Sequence, residues 1–346
     1  MTLKLGIGLF TGQIPEGSRR TIHQEYRETL DLVRLAEAEG LDAAWVSEHH
    51  GSADSYLPSL LPMLAAFAAV TTNIELGTGV VLAPFHHPLR LAEDFAVVDQ
   101  LSGGRVVAGL ALGWRDEEFR AFNLPPAERV RRTIEICDIL RLAWTEDRFD
   151  YDGRFYNFSS VALTPKPARR IPILLGGFVD DAIRRAGRVA DGYISSRAEP
   201  ERVRDAFEIA TKARRKAGKE GAPIVALLQN AFATENPGAD WPMVRDGIGH
   251  QLGVYAGWRA GTDVPGTPLE VVPPDEATIR RTTAFGTPDD VVEYLTPAVK
   301  VLGGYPEGHL VVRLHYPGMD SAPAARAISL FAREVAPRLR AAASDS

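Results

Sequence analysis

Short apolar runs alternate with longer helical stretches along nearly the whole chain. Residues 3–10 (LKLGIGLF) read as a buried strand, being short, apolar and followed by Thr11-Gly12 and Pro15. Further runs of this kind occupy 43–47, 74–82 and 106–112. Between them, 25–39, 58–70 and 87–101 carry apolar residues at helical spacing, with Gly40 and Ser102-Gly103-Gly104 placed as terminators. A long amphipathic helix is expected over 127–145. Residues 149–163 then break the rhythm and read as a hairpin turning at Asp152-Gly153. Strands follow at 171–175, 192–196, 224–233 and 309–315. The helices between and after them are expected at 180–189, 201–217, 288–302 and 324–339.

Eight apolar strands with a helix in nearly every gap imply parallel strands, because a parallel return needs a crossover connection. The pattern fits a closed (β/α)8 barrel, forming one domain over 1–346, better than an open doubly wound sheet. The open sheet's G-x-G-x-x-G fingerprint is missing after strand 1. Residues 234–285, with Trp241, Trp258 and many Pro and Gly, read as an insertion after strand 7 that covers the barrel mouth.

Composition narrows the function. With 39 Lys+Arg against 45 Asp+Glu, the net charge of −6 excludes a general nucleic-acid binder. The single cysteine, Cys137, excludes a disulfide framework and sits at an apolar helical position expected in the core. No apolar stretch reaches the roughly 18 residues of a membrane span, and the chain opens on a strand. A cytoplasmic protein is expected.

Barrel chemistry sits at the C-terminal strand ends. Strand 2 ends in Ser47-Glu48-His49-His50, strand 3 in Ala83-Pro84-Phe85-His86-His87-Pro88. Two histidine pairs at adjacent strand ends suit proton transfer or anion stabilisation. A metal is not expected: strand 1 offers Gly, Ile, Leu and Phe where metal-dependent barrel hydrolases carry His-x-His. Gly176-Gly177 precede a helix and expose N–H groups to an anion, although Asp180 and Asp181 oppose it unless Arg184 and Arg185 fold back. Trp241, Tyr255, Trp258 and Phe285 either line a pocket or pack the insertion onto the barrel.

Four blocks, WVSEHH (45–50), GTGVVLAPFHHP (77–88), AEDFAVVDQLSGGR (92–105) and GTPDDVVEYL (286–295), resemble the bacterial luciferase-like flavin monooxygenases. The resemblance implies a (β/α)8 barrel, usually a homodimer, that binds reduced FMN or the deazaflavin coenzyme F420 at its mouth. It implies His49 as catalytic acid/base, flanked by Glu48 and His50. It places a non-proline cis peptide at Gly79-Val80 beneath the flavin ring, His87 in the cofactor site, and the phosphate loop at Gly176 and Gly177. Two positions depart from the family: Leu112 stands where luciferases use an arginine, and Asp180 where the phosphate loop often has a hydroxyl residue.

The Glu-His-His and Ala-Glu-Asp blocks look like the FMN branch, whereas Leu112-Gly113-Trp114 with Glu117-Glu118-Phe119 looks like the deazaflavin branch. The FMN reading implies a monooxygenase that takes reduced FMN from a separate reductase, forms a C4a-peroxyflavin with dioxygen, and oxygenates a small organic substrate. The deazaflavin reading implies hydride transfer with His49 or Glu48 as acid/base and Trp114 walling the ring. A barrel that binds flavin without catalysis is the third reading.

Overall fold

The computed structural model describes residues 2–261, 271 and 274–344. Eight parallel strand positions close on themselves. β1 (Thr2–Phe10) pairs with β2 (Ala43–Val46), β2 with β3 (Glu75–Thr78), and β3 and β4 (Val81–Leu82) with β5 (Val106–Ala111). The hairpin strands β6 (Phe149–Asp152) and β7 (Asn157–Val161) form a separate antiparallel sheet, as expected. Then β5 pairs with β8 (Ile173–Gly176), β8 with β9 (Gly192–Ser195) and β9 with β10 (Ile224–Ala233). The ring closes through β12 (Glu307–Arg313), which lies between β10 and β1. The strand at 74–82 is split, and the Gly79–Val80 peptide at the break is cis, as is Gly8–Leu9.

The helices fall close to their expected positions. They include α1 (Ile22–Ala38), α2 (Leu60–Val70), α3 (Pro88–Ser102), α5 (Arg129–Thr145), α6 (Asp180–Val189), α7 (Pro200–Lys216) and α10 (Pro288–Gly303). Thr21 caps α1 through a box with Gln24, and Gly103, at φ 71°, ends α3. Arg105 just after that turn donates to the carbonyls of Ser102, Thr71 and Ile74, tying two helix ends to the base of the barrel. Cys137 lies in the core, where burial pushes its thiol up to about 12.

Within 234–285 the described residues form more regular structure than the pattern suggests. They contain a 24-residue helix, α8 (Pro237–Ala260), then α9 (Glu276–Arg281) and a short strand, β11 (Thr283–Gly286), that extends the sheet beside β10. The rest of the expected insertion, 262–270 and 272–273, lies outside the described residues. One more helix, α4 (Asp116–Ala121), was not expected and follows β5 at the mouth.

The barrel interior is filled by Trp45, fully buried with Ala43, Val107, Leu174, Ile194, Ala226 and Val311. Glycine opposite it is a packing requirement. A Cβ at Gly77 would lie 2.3 Å from the Trp45 ring, and one at Gly79 would lie 2.7 Å from Leu9. Gly77→Ala is therefore expected to destabilise the fold by about 3 kcal/mol in denaturant titration. In a Trp45→Phe background that penalty should shrink, and simple additivity would refute the clash. Gly238→Ala, whose new methyl meets nothing within 4 Å, is the neutral control.

Candidate active site

Alternate residues of a strand face the barrel interior. Continued to the strand ends, that alternation brings Ser47, Ala111, Gly176, Ser196, Asn230 and Arg313 to the mouth. The layer has two sides. Ala111 and Gly176, from adjacent strands beside Val80, make a flat floor of small apolar groups, and a Cβ on Gly176 would come within 3.5 Å of Val80. Asn230 and Arg313, register partners on β10 and β12, make a polar side.

Above this layer the 47–59 loop delivers His49, which is buried. Its Nδ1 lies 2.9 Å from Glu118 Oε1, and its Nε2 lies 3.1 Å from the Tyr255 hydroxyl. A carboxylate accepts only, so Nδ1 carries the proton that Glu118 accepts, and Nε2 is left as the basic nitrogen. Glu118, on α4, also accepts from the His50 backbone N–H at 2.9 Å and pairs with Arg115 at 3.6 Å. Arg115 stacks on Trp258 at 4.0 Å. Tyr56, Tyr255, Trp114 and Trp258 surround the imidazole, with ring centroids 4.6–6.4 Å away. Burial raises the Tyr255 phenol well above its usual range, so its hydroxyl stays protonated and donates to Nε2.

Glu48 serves a different network. Its Oε1 accepts from His50 Nε2 at 2.6 Å and from His86 Nε2 at 3.1 Å. Burial alone would raise its pKa, but the two imidazoles outweigh this and hold it low. Desolvation pulls His86 down, and the bonded Glu48 carboxylate more than reverses that. The three donor atoms lie within 4.8 Å of one another, a set of the kind that binds divalent cations, although both imidazoles here bond a common oxygen. A third buried carboxylate, Asp54, accepts from Gln13 at 2.7 Å and from His250 at 2.9 Å, pinning α8 over the mouth.

The structure thus joins His49, Glu48, His50, Trp114, Tyr255 and Trp258 at one mouth. His87 is exposed and lies apart, its ring against Tyr156 and Phe158 of the hairpin. Its neighbour His86 enters the cluster instead. Trp241 and Phe285 pack together at 4.8 Å, with Trp241 donating to Glu276, and so serve the insertion. Gly113, at φ 70°, sits against Phe85 and Phe119 and turns the chain from β5 into α4. Gly177 accepts from the Tyr193 hydroxyl at 2.7 Å, and Arg184 does fold back, onto both Asp180 and Asp181. Sequence reasoning assigned no role to Glu118, Arg115, Asp54, His250 or Arg313. Only Glu118 and Arg115 lay within a quoted or adjoining motif.

Residues near Gly176-Gly177 fit an anionic tail. Arg197 donates to the Phe178 carbonyl, and its Nε is buried without a hydrogen-bond partner among the described residues. The fit extends to a flat ring over Val80, Ala111 and Gly176.

The Glu48–His86 pair has a defined pH window. Glu48, with its lowered folded pKa, contributes stability above the unfolded carboxylate range near about 4.3. His86, with its raised pKa, contributes fully below about 6.5 and loses that contribution as pH rises through its folded value. The Tm difference between wild type and His86→Asn should therefore be largest at about pH 5–6 and shrink above about pH 7. A difference independent of pH would refute the pairing.

The family of luciferase-like monooxygenases matches residues 3–303. An F420-dependent glucose-6-phosphate dehydrogenase of Nocardia farcinica is 29% identical over 337 residues, covering 92% of this chain and 95% of its own. The crystal structure of a monooxygenase from Streptomyces bottropensis superposes with a TM-score of 0.83 at 25% identity, over 96% of this chain and 99% of its own. The oxygenating constituent of 3,6-diketocamphane monooxygenase of Pseudomonas putida, solved with FMN, shares the fold with a TM-score of 0.78 at 21% identity, over 97% and 99% of the two chains. With its closed barrel, its histidine-bearing mouth and a match over most of its length, the chain belongs to the luciferase-like family of oxidoreductases.

Proposed function

We propose that this enzyme uses the deazaflavin F420 to move a hydride between the cofactor and the carbinol carbon of a small alcohol, with His49 as acid/base. The observation that carries this reading is the His49–Glu118 pair. An imidazole whose Nδ1–H is held by a buried carboxylate presents a basic Nε2, which is what removal of an alcohol proton needs. The F420-dependent relative, aligned over 92% of the chain, supports the same reading. Leu112, in place of an arginine on the phosphate, weakens the case for FMN.

Val80, Ala111 and Gly176 would carry the cofactor ring, and the Gly176-Gly177 loop with Arg197 its anionic tail. Bound there, the cofactor supplies two-electron hydride chemistry. His49 takes the substrate hydroxyl proton at Nε2 in the oxidation and returns it in the reduction. Glu118 fixes the tautomer and stabilises the imidazolium that forms. Trp114, Tyr255 and Trp258 exclude water, so the charges of that step act at low dielectric. FMN-dependent monooxygenation is the second reading, favoured by the likeness to the S. bottropensis monooxygenase. Under it the same aromatic wall protects the reduced flavin and its oxygen chemistry from water, and a separate reductase supplies the flavin.

Anaerobic titration of the apoprotein with reduced F420 and with reduced FMN tests the choice. The proposal expects F420 to bind at least about tenfold more tightly, a difference of roughly 1.4 kcal/mol. Tighter FMN binding, with substrate-linked oxygen consumption, would overturn it. In the F420 assay, His49→Asn should lower kcat by about 10²–10⁴ and Glu118→Gln by less, with cofactor affinity nearly unchanged. An unaltered kcat in His49→Asn would remove His49 from the reaction.

A further inference from the structure

Arg313 is the last residue of β12 and lies two positions beyond Val311, an interior residue packed with Trp45. Its side chain therefore enters the mouth from the polar side. It is 4% exposed, and among the described residues its guanidinium makes no hydrogen bond and no ion pair, with Nη1 fully buried and unpartnered. The other buried arginines of the fold are held: Arg105 by five carbonyl and hydroxyl acceptors, Arg115 by Glu118 and the His50 carbonyl. A buried guanidinium whose N–H groups find no acceptor is costly, and a protein retains one where a ligand completes it.

Its surroundings narrow that ligand. Asn230, its register partner on β10, also has a side chain without a hydrogen bond among the described residues. The positive charge of Arg313 opposes the rise that burial gives the Tyr56 and Tyr255 phenols, which lie 3.2 Å from each other, and Tyr255 in turn lies 3.1 Å from His49 Nε2. Glu118 and Asp54 act on those phenols with the opposite sign. A single guanidinium offers one positive charge, enough for a monoanion, and the repulsion from Glu118 and Asp54 falls more heavily on a dianion such as phosphate. A planar carboxylate also matches the guanidinium fork, which can donate to both of its oxygens.

We propose that Arg313, with Asn230, binds the carboxylate of the substrate, and that the enzyme acts on a small hydroxy acid or its oxo-acid counterpart. This rests on the hydride-transfer reading for the reaction, but not for the anion site itself. In the oxidation the carbinol hydrogen would leave with both C–H bonding electrons as hydride to oxidised deazaflavin, the O–H proton would go to His49 Nε2, and the freed O–H electron pair would close the C=O bond. The oxo acid, the hydride-bearing cofactor and protonated His49 then account for both electrons and both hydrogens lost by the hydroxy acid.

The anion site is tested on the apoprotein, so its outcome is separate from that of the cofactor titration. Glycolate, acetate and inorganic phosphate are titrated at constant ionic strength while tryptophan fluorescence is followed, Trp114 and Trp258 being the reporters in the chamber. The expected result is saturable binding of glycolate and acetate, weakened at least about tenfold in Arg313→Met and largely retained in Arg313→Lys. Phosphate should bind at least tenfold more weakly than glycolate. Apoprotein Tm should not fall in Arg313→Met, because the substitution removes a buried guanidinium without hydrogen-bond partners, whereas a structural arginine would cost several degrees. Reduced-cofactor affinity should stay within about threefold of wild type. Equal carboxylate affinity in Arg313→Met, no saturable binding in wild type, or a preference for phosphate would overturn the proposal. So would a lowered Tm, or a tenfold loss of cofactor affinity in the variant.

Discussion

Trp45 fills the interior of the barrel, and much of the architecture above and beside it follows from its volume. Among the described residues its indole N–H finds no hydrogen-bond partner, a cost that its packing offsets. Gly77 and Gly79 are small because the indole and Leu9 occupy the space a Cβ would need. At the mouth Val80, Ala111 and Gly176 lie side by side, and the polar groups come from residues on the strand ends and the loops above.

Three buried carboxylates reach that chamber, Glu48, Asp54 and Glu118, and each is bonded to an imidazole. For Glu48 and Asp54 this pairing outweighs burial and holds the carboxyl below its usual range. The partners then decide which imidazole can react. His50 and His86 both spend Nε2 on Glu48, and His250 spends its own on Asp54. His49 alone gives Nδ1 to its carboxylate and turns Nε2 toward a phenol in the aromatic chamber. Adjacent histidines of the same motif therefore differ in their hydrogen bonding: His50 is tied to Glu48 through Nε2, whereas His49 is tied to Glu118 through Nδ1 and directs Nε2 at Tyr255.

The eight barrel strands and most helices were readable because their apolar runs are short, continuous and bounded by glycine and proline. The helix over 237–260 was not, because Gly238, Gly247, Gly249, Gly253, Gly257 and Pro242 make it a poor helix by intrinsic preference. Tertiary contact supplies what propensity lacks. Gly247 lies against Tyr316 so closely that a Cβ would come within 2.6 Å of the tyrosine Cβ. The site was readable at His49 and Glu48, which share one motif. Glu118 lies 69 residues from His49, and Tyr255 lies 206 from it, and no local pattern announces either pairing. His86 rather than His87 meets Glu48 because the short 3₁₀ turn over Ala83–Phe85 re-aims the strand end.

The two sides of the mouth also explain how one barrel can serve different redox chemistries. The β4, β5 and β8 ends present small apolar groups that suit any flat isoalloxazine-like ring, so this side carries little information about which cofactor or which reaction. The β10 and β12 ends present an amide and a guanidinium, groups that discriminate strongly because leaving them unpaired is expensive. On the proposed assignment, selectivity for substrate belongs to one arc of the ring and capacity for cofactor to the other. His49 reaches over the layer from the loop after β2 and needs only to find a proton at their junction. A change at Arg313 or Asn230 would alter what is bound without disturbing the floor, whereas a change at Gly176 or Val80 would disturb every reaction the barrel supports.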